Sequence, residues 1–374
     1  MTTTHKTGSC ACELHFVGSI PLSNAMEVMQ TLSSRFGPWL PRIPDGETGE
    51  RTNWIQYQED VIARLPGAEK ISGTGDMRST TAKRAHTGKF RVPAGTQLNP
   101  GMLGDLGYAR AAIESYNDYA VLRSNGAIAP ECRYMIALPS PYNVISFCVM
   151  PESAGAVEAI YEQQLILELN KILSAIPHDQ LSLQWDVVHD LQAFDTASLN
   201  AAVAAGRLPS VDLRKTWFSP AKQGIVDRLV RLGDLVPADV ELGYHLCYGS
   251  FGGRHFVEPE SAAAMVELTN AVLGGLKRPM DFIHMPVPIE RDDDAYFAPL
   301  ASLKRPAGLK VYLGLIHETD GLPGTMRRYE TAQRHAENFG VSTECGFGRM
   351  NADAVPGIMA THEAVMRAIA ARSA

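Results

Sequence analysis

The sequence lacks any apolar run that approaches the roughly 20 residues needed for a membrane-spanning helix. It also lacks basic character, because its net charge is −7 and no run of basic residues interrupts this acidic balance. These two absences argue against a membrane span and against a nucleic-acid-binding surface. The first residues are polar and show no apolar signal-peptide core, so we expect a cytoplasmic protein with neither membrane nor nucleic acid as a partner.

Cysteine is scarce as well. Six cysteines in 374 residues are too few for a disulfide-stapled scaffold, which favours a reducing compartment. No G-x-G-x-x-G follows the first predicted strand, and this argues against a doubly wound dinucleotide-binding sheet. No short repeat, low-complexity tract or long linker divides the chain. We therefore predict one domain over residues 1–374, with residues 1–12 as a disordered tail.

What the sequence does contain is a regular alternation of apolar runs with segments of helical spacing. Helical spacing is seen over 23–36, 50–65, 108–124, 152–175, 219–233 and 259–275. Strands are predicted at 15–20, 40–44, 133–138, 181–188, 240–248, 281–285, 309–317 and 341–346. Eight such units predict an α/β protein of the (β/α)8 TIM-barrel class. Residues 66–107 are irregular and are predicted to leave the barrel, with their possible role as a lid left open.

The fifth predicted strand carries an H-x-C motif, His245 and Cys247. Side chains at i and i+2 of a strand project from the same face, so the imidazole and the thiol would lie together. Zinc takes nitrogen and sulfur ligands, and a catalytic zinc keeps one position open. Cys345 ends the eighth strand and could face this pair across the barrel mouth. The pattern predicts a His/Cys/Cys zinc site, although a bare H-x-C also fits an ordinary buried strand.

Other ionisable or polar residues fall at predicted strand ends or in the loops after them, where TIM barrels carry their chemistry. These candidates are Ser19, Glu47, Asp186, His284, Glu290 and His317. Structural alternatives stay open for several: Ser19 and Glu47 could cap turns or helices, His317 could be a core histidine, and Glu290 could belong to a solvated loop. Three further histidines lie in helical or loop contexts and are predicted at the surface: His255, His335 and His362.

In chain order these motifs resemble those of cobalamin-independent methionine synthase, over essentially the whole chain. Its catalytic barrel belongs to a uroporphyrinogen-decarboxylase-like group that includes zinc-dependent methyl- and alkyl-to-coenzyme M transferases. The segments V-G-S-I-P (17–21), G-E-T-G-E-R-T-N (46–53) and Q-W-D (184–186) are similar to the family's I-G-S-F-P, G-E-P-E-R-N-D and Q-x-D-E-P. The resemblance implies that Ser19, Glu47 and Asp186 bind the amino-acid substrate.

The remaining motifs of the resemblance carry the metal and a proton donor. H-L-C (245–247) and C-G (345–346) are similar to the family's zinc-binding H-x-C and D-C-G, and I-H (316–317) to its D-I-H-S-P. The resemblance implies that His245, Cys247 and Cys345 hold Zn²⁺ and that His317 donates a proton.

Two departures from the family pattern matter for the prediction. The family's glutamate ligand lies in T-I-E-N-S-R-S-D, whereas this chain has I-H-M-P-V-P-I-E-R-D at 283–292. We therefore predict Glu290 as a fourth ligand. His284 is the alternative, and a third possibility is that neither residue binds the metal, as in the coenzyme M branch. The family's D-E-P has become D-V-V-H-D at 186–190, so the acceptor need not be homocysteine. No counterpart of the family's amino-terminal half is seen, so we expect little hold on a polyglutamated folate tail.

These observations predict a zinc-dependent methyl or alkyl transferase that activates a small thiol as a zinc thiolate and methylates it. A homocysteine methyltransferase and a demethylase both fit, with Asp186 and His317 as catalytic groups. The methyl donor stays open among a folate, a corrinoid protein and a methylated small molecule. Two alternatives are a metal-free decarboxylase or lyase acting through Asp186, and a ligand-binding barrel without catalysis.

Overall fold

The computed structural model describes residues 12–74, 86–251 and 254–373. Twelve strands occur in these ranges: β1 (Leu14–His15), β2 (Arg42–Pro44), β3 (Glu69–Ser72), β4 (Gly88–Arg91), β5 (Arg133–Pro139), β6 (Leu181–Val187), β7 (Glu241–Leu246), β8 (Ser250–Phe251), β9 (Arg254–His255), β10 (Phe282–Pro286), β11 (Lys310–Ile316) and β12 (Phe339–Thr343). The α-helices described are α1 (Ala25–Phe36), α2 (Gln58–Ile62), α3 (Tyr108–Ser124), α4 (Pro141–Cys148), α5 (Pro151–Ala175), α6 (His189–Phe194), α7 (Thr196–Ala204), α8 (Ala221–Asp234), α9 (Ala263–Gly275), α10 (Asp294–Phe297), α11 (Gly321–Gln333) and α12 (Val355–Ser373).

Eight parallel strands form a nearly closed barrel in the order β1-β12-β11-β10-β7-β6-β5-β2. Within the described ranges no ladder joins β1 to β2, and a backbone hydrogen bond from Ile20 N–H to the Gly46 carbonyl, 2.9 Å, links the loops that follow them. Helices cover the outside of the barrel and bury the apolar strand faces. The predicted (β/α)8 fold is confirmed.

The barrel interior is more polar than its outer face. His15 packs against the rings of Phe282 and Tyr312, with centroids 5.4 and 4.9 Å away, and its Nε2 lies 3.1 Å from the Gln184 Oε1. At the N-terminal end of the strands, buried Arg42 forms a bidentate ion pair with Glu241 at 2.7 and 2.9 Å. This end of the barrel is closed by packing, which leaves the C-terminal end for a site.

Several predicted elements differ in extent. The first strand ends at His15 instead of residue 20, because the chain then turns so that the Phe347 N–H donates to the Ser19 carbonyl, 2.9 Å. The helix predicted over 50–65 is broken into a 3-10 turn, Gly49–Asn53, and α2. Trp54 separates them with a φ of 55°, a conformation that a right-handed helix does not contain. Between β6 and the helix predicted over 219–233 the structure adds two helices, α6 and α7.

The irregular excursion predicted for residues 66–107 does leave the barrel. Strands β3 and β4 pair there as a separate antiparallel hairpin, and residues 75–85 lie outside the described part. The disordered tail predicted for residues 1–12 also lies outside it, except for Cys12. That residue is buried and its thiol lies 3.7 Å from the Phe339 carbonyl, so it belongs to the folded barrel. None of the helices described here combines the length and apolar character needed to cross a bilayer.

Candidate metal centre and substrate cavity

Three predicted ligands meet at the C-terminal mouth of the barrel. His245 is the fifth residue of β7, Cys247 follows that strand, and Cys345 lies two residues beyond β12. One ligand atom of each lies within 4.8 Å of the others. The two sulfur atoms are 3.5 Å apart, and the Cys345 Sγ is 3.7 Å from the His245 Nε2.

The backbone after each strand explains why the thiols turn inward. Gly249 has a φ of 80°, and its N–H donates to the Cys247 Sγ over 3.2 Å. This positive φ favours glycine and lets the chain bend tightly behind the sulfur. On the opposite side the Thr343 hydroxyl donates to the Cys345 carbonyl, 2.8 Å, which holds the turn after β12.

The two sulfurs share a proton unequally. The thiol of Cys247 donates towards Cys345, and this contact together with His245 holds the pKa of Cys345 well below its ordinary value. The same contact and burial raise the pKa of Cys247 well above it. Arg349 adds positive charge, with its guanidinium 3.9 Å from the Cys345 Sγ. A thiolate is the form of cysteine that binds metals.

This donor set fits zinc. Tetrahedral zinc with bonds of about 2.3 Å to sulfur and about 2.0 Å to nitrogen would separate its ligand atoms by roughly 3.5–3.8 Å. The separations of 3.5 and 3.7 Å match that geometry. Three protein ligands would leave a fourth position for a further ligand, as catalytic zinc sites do.

Neither residue predicted as the additional ligand belongs to this group of candidate ligands in the described chain. Glu290 is exposed in the turn after β10, and we therefore drop it from the ligand set. The carbonyl of the preceding residue, Ile289, accepts a hydrogen bond from Arg328, and the Glu290 side chain faces outward. His284 is buried behind His245, with the two Nδ1 atoms 2.7 Å apart.

The metal group forms part of the wall of a cavity of about 660 Å³. The predicted substrate-binding residues Ser19, Glu47 and Asp186 line the same cavity. Sequence positions far apart in the chain are thus brought to one space by the loops after β1 and β2 and by the end of β6. Its remaining wall combines apolar and aromatic side chains with polar ones. Trp54, Phe147 and Phe256 are among the former, and three arginines, Arg207, Arg214 and Arg349, are among the latter.

Two buried carboxyl groups face this cavity. Burial raises the pKa of Asp186 to about 6, although Gln184 and Trp54 donate to its oxygens over 3.0 and 3.2 Å. Burial and the nearby Asp186 charge raise the pKa of Glu47 well above its ordinary value. Desolvation and like charge both penalise two ionised carboxylates, so a cation bound between them would be stabilised.

The backbone is strained at this wall. Glu47 and Trp54 have φ values of 48° and 55°, which are uncommon for residues with a side chain. Both residues line the cavity, and such outliers concentrate at binding sites. The indole N–H of Trp54 holds Asp186, so the strained conformation positions a donor against the carboxylate.

Ser19 has a structural contact as well as a place on the wall. Its hydroxyl accepts from the Gly348 N–H over 3.3 Å. A Cβ at Gly346 would lie 2.4 Å from the Ser19 Oγ, so only glycine permits this approach. Ser19 therefore joins the first loop to the loop that carries Cys345.

His317 faces a smaller cavity of about 70 Å³ beside Cys345. Its Nε2 donates to the Val287 carbonyl, 2.8 Å, and its Nδ1 lies 3.8 Å from the Glu344 carboxylate. Burial lowers the pKa of His317 to about 3, so the ring is neutral at pH 7. Its predicted role as a proton donor stays a prediction, and the neutral ring would have to take up a proton at Nδ1 before it could donate one.

Sequence reasoning missed two residues of this region. Glu344 borders the site, and His255 is buried with its Nδ1 3.6 Å from the Glu344 carboxylate. The surface prediction was wrong for His255 and also for His362, which is fully buried against Phe16 and Phe36. His255 lies in the two-residue strand β9, which is too short for periodicity to signal burial, and His362 lies in α12. Glu344 had one available signal, its position beside Cys345 at a strand end.

Comparisons with known proteins bear on the fold. No protein-family model and no curated protein matches the chain. A B12-independent methionine synthase from Shewanella sp. W3-18-1, solved in complex with selenomethionine, matches 92% of this chain and 85% of its own, with 15% identity and a TM-score of 0.54. A putative vitamin-B12-independent methionine synthase from Listeria monocytogenes matches 92% of this chain and 86% of its own, with 14% identity and a TM-score of 0.49.

A methyltransferase from Methanosarcina mazei matches 94% of this chain and 93% of its own, with 14% identity and a TM-score of 0.49. The Shewanella structure is of the kind that the sequence motifs resemble. At these identities the likeness to the Shewanella structure shows a shared barrel fold, and the chemistry has to be argued from the site.

Proposed function

We propose that the chain is a methyltransferase that transfers a methyl or alkyl group to a small thiol, with Zn²⁺ held by His245, Cys247 and Cys345. The observation that carries this proposal is the convergence of these three ligand atoms within 4.8 Å on the wall of a large cavity. A zinc ion bound there would supply positive charge that lowers the pKa of an acceptor thiol at the open position.

The acceptor that this wall favours carries an ammonium group as well as a thiol. Glu47 and Asp186 both have pKa values raised by burial, and a bound cation would offset that cost. Ser19 lies on the same wall and would help to orient the acceptor. An amino thiol such as homocysteine therefore fits, and an uncharged thiol would leave the carboxyl pair uncompensated.

The chain's residues would act mainly by positioning and by moving protons. Asp186, with a pKa of about 6, is largely ionised at pH 7 and able to accept a proton from an incoming acceptor. The aromatic wall would exclude water and hold the donor carbon in line with the sulfur. His317 is the proposed acid for the leaving group. Because its ring is neutral and its Nε2–H is bonded to the Val287 carbonyl, it would first take up a proton at Nδ1, for which the nearby Glu344 carboxyl, with a pKa raised by burial, is the source.

The volume of about 660 Å³ supports a donor that enters the cavity together with the acceptor. A folate, a methylated small molecule and the methyl group of a corrinoid protein are the three donor classes to compare. The apolar and aromatic lining favours a flat or apolar donor.

The first experiment measures metal content and thiol binding in the purified protein. We expect about one zinc per chain and a change in the zinc X-ray absorption edge when an amino thiol is added. Cys247→Ser and Cys345→Ser should lose both the metal and the transfer activity. Cys132→Ser is the matched control. Cys132 is buried just before β5 at the other end of the barrel, so this variant should retain zinc.

Three results would redirect the proposal. Full transfer activity in the metal-free protein would refute the role of zinc. A metal-free chain in which Asp186→Asn abolishes turnover of an acidic substrate would support a decarboxylase or lyase instead. Zinc with a closed coordination shell and no response to thiols would support a binding barrel without catalysis.

A further inference from the structure

His284 lies immediately behind the metal group without joining it. We infer that His284 is a positioning residue, which holds His245 in the tautomer whose Nε2 lone pair faces Cys345 and the metal. The inference rests on the metal site of the proposed function and concerns how that site is preorganised in the metal-free chain.

The hydrogen-bond partner of the His284 Nε2 atom determines where its hydrogen sits. That nitrogen lies 2.9 Å from the Thr343 carbonyl oxygen, which can only accept, so Nε2 carries the hydrogen. The ring is fully buried, with its centroid 5.8 Å from that of His15 and 4.7 Å from that of His245. A second proton would place a charge in this desolvated site, which is costly. The His284 Nδ1 atom therefore holds a lone pair.

The state of His245 follows from that lone pair. The two Nδ1 atoms are 2.7 Å apart, so His245 must donate its Nδ1–H to the Nδ1 of His284. A neutral His245 with hydrogen on Nδ1 has its free lone pair on Nε2. That atom is the one 3.7 Å from the Cys345 Sγ, on the side of the metal group. A hydrogen bond at the far nitrogen commonly sets which nitrogen of a histidine binds a metal.

His284 also connects two ligand-bearing strands. It stands opposite His245 in the β7–β10 ladder, and its Nε2 reaches the carbonyl of Thr343 at the end of β12. The Leu246 backbone is also within reach of its ring. Thr343 in turn holds the Cys345 turn through its hydroxyl. One buried side chain thus bridges the strand of the first ligand and the strand end that precedes the third.

Metal affinity of matched variants tests this role. His284→Leu removes the contacts to His245 and to the Thr343 carbonyl, whereas His284→Asn keeps a hydrogen-bond acceptor close to the Nδ1 position. His15→Leu removes a neighbouring buried imidazole that contacts Gln184 instead, and it serves as the control. Zn²⁺ affinity is measured by competition with a chromophoric chelator, and Co²⁺ absorption reports the ligand geometry.

We expect His284→Leu to weaken Zn²⁺ binding by about 10–100-fold, the usual effect of losing a partner of a metal-bound histidine. His284→Asn and His15→Leu should stay close to the wild-type affinity. Wild-type affinity in His284→Leu, or an equal loss in His15→Leu, would overturn the inference.

A second measurement needs neither metal nor a stable variant. Two-bond ¹H–¹⁵N correlation spectra of the metal-free, ¹⁵N-histidine-labelled wild-type chain report each ring's tautomer. We expect hydrogen on Nδ1 of His245 and on Nε2 of His284, and hydrogen on Nε2 of His245 would refute the inference. A wild-type chain that shows these tautomers but binds no zinc would count against the proposed function alone.

Discussion

Four residues at the barrel mouth have pKa values shifted away from those of the same groups in water. The thiol pair Cys247 and Cys345 divides one proton unequally, and the carboxyl pair Glu47 and Asp186 resists full ionisation. Burial with incomplete charge compensation is costly, and a metal on one pair and an ammonium on the other would relieve it. The cost therefore marks both pairs as parts of a binding site.

Asp186 makes this cost measurable. Its folded pKa of about 6 lies above the value of about 3.9 for an unfolded aspartate. Between these values the folded chain keeps a proton that the unfolded chain has released, so the unfolding free energy falls as pH rises. Asp186→Asn lacks this titration. Its unfolding free energy relative to wild type should increase by about 2–3 kcal/mol from pH 4 to pH 7.

Urea unfolding of the metal-free proteins at several pH values, followed by tryptophan fluorescence, measures this difference. Asp105→Asn is the control, because the Asp105 side chain is 53% exposed and should leave the pH dependence unchanged. Parallel curves for wild type and Asp186→Asn would show that Asp186 ionises as freely in the folded chain as in the unfolded one.

Among the elements, α4 matters to the site although it carries none of the proposed ligands. Its fully buried Asn143 donates to the Asp186 carbonyl over 2.7 Å and accepts from the N–H groups of Val188 and His189 over 3.2 and 2.7 Å. These three bonds hold the end of β6 where it turns into α6. The position of the Asp186 carboxylate therefore depends on the packing of α4 against this strand end.

Asn143→Ala should destabilise the protein by about 2–4 kcal/mol, because it leaves buried backbone groups without a partner. Asn270→Ala is a matched control, because Asn270 bonds the backbone of Ser302 and Lys304 but lies on a partly exposed face of α9. Its loss should cost less than about 1 kcal/mol, since water replaces it. Denaturant unfolding compares the two, and equal losses would contradict the assigned role of Asn143.

At the scale of the whole molecule, stability and chemistry occupy opposite ends of the barrel. The ligands lie at or just beyond the C-terminal ends of β7 and β12, whereas the Arg42–Glu241 pair begins β2 and β7. The Arg42 guanidinium is also 3.9 Å from the centroid of the Phe282 ring. Loops at one end can therefore change without disturbing the packing that closes the other.

Arg42→Met should lower the unfolding free energy by about 3–5 kcal/mol, because the Arg42 side chain is only 1% exposed and its loss leaves Glu241 without a partner where water does not replace the guanidinium. Arg231→Met is the matched control, since Arg231 forms the same bidentate pair with Glu162 but is 47% exposed. Its expected cost is below about 1 kcal/mol. Calorimetry measures both, and Arg42→Met should keep the wild-type zinc affinity wherever it remains folded. A fall in the zinc affinity of folded Arg42→Met would show that the two ends of the barrel are coupled.

The sequence by itself determined the alternation of strands and helices, and with it the barrel. Periodicity is local, because side chains alternate along a strand and recur every three to four residues along a helix. The H-x-C pair was readable for the same reason, since two residues on one strand face stay together in any fold. The helix predicted over 50–65 failed where Trp54 adopts a positive φ, a tertiary demand that spacing does not record.

Only the tertiary structure decided which groups meet. Cys345 is 98 residues from Cys247 and 100 from His245, and their separations depend on barrel closure and strand register. The same long-range geometry leaves Glu290 in solvent and directs His284 to His245 and Thr343 instead of the metal group. Ligand distances must be right to a few tenths of an ångström, and a one-dimensional pattern contains no such distances across the barrel.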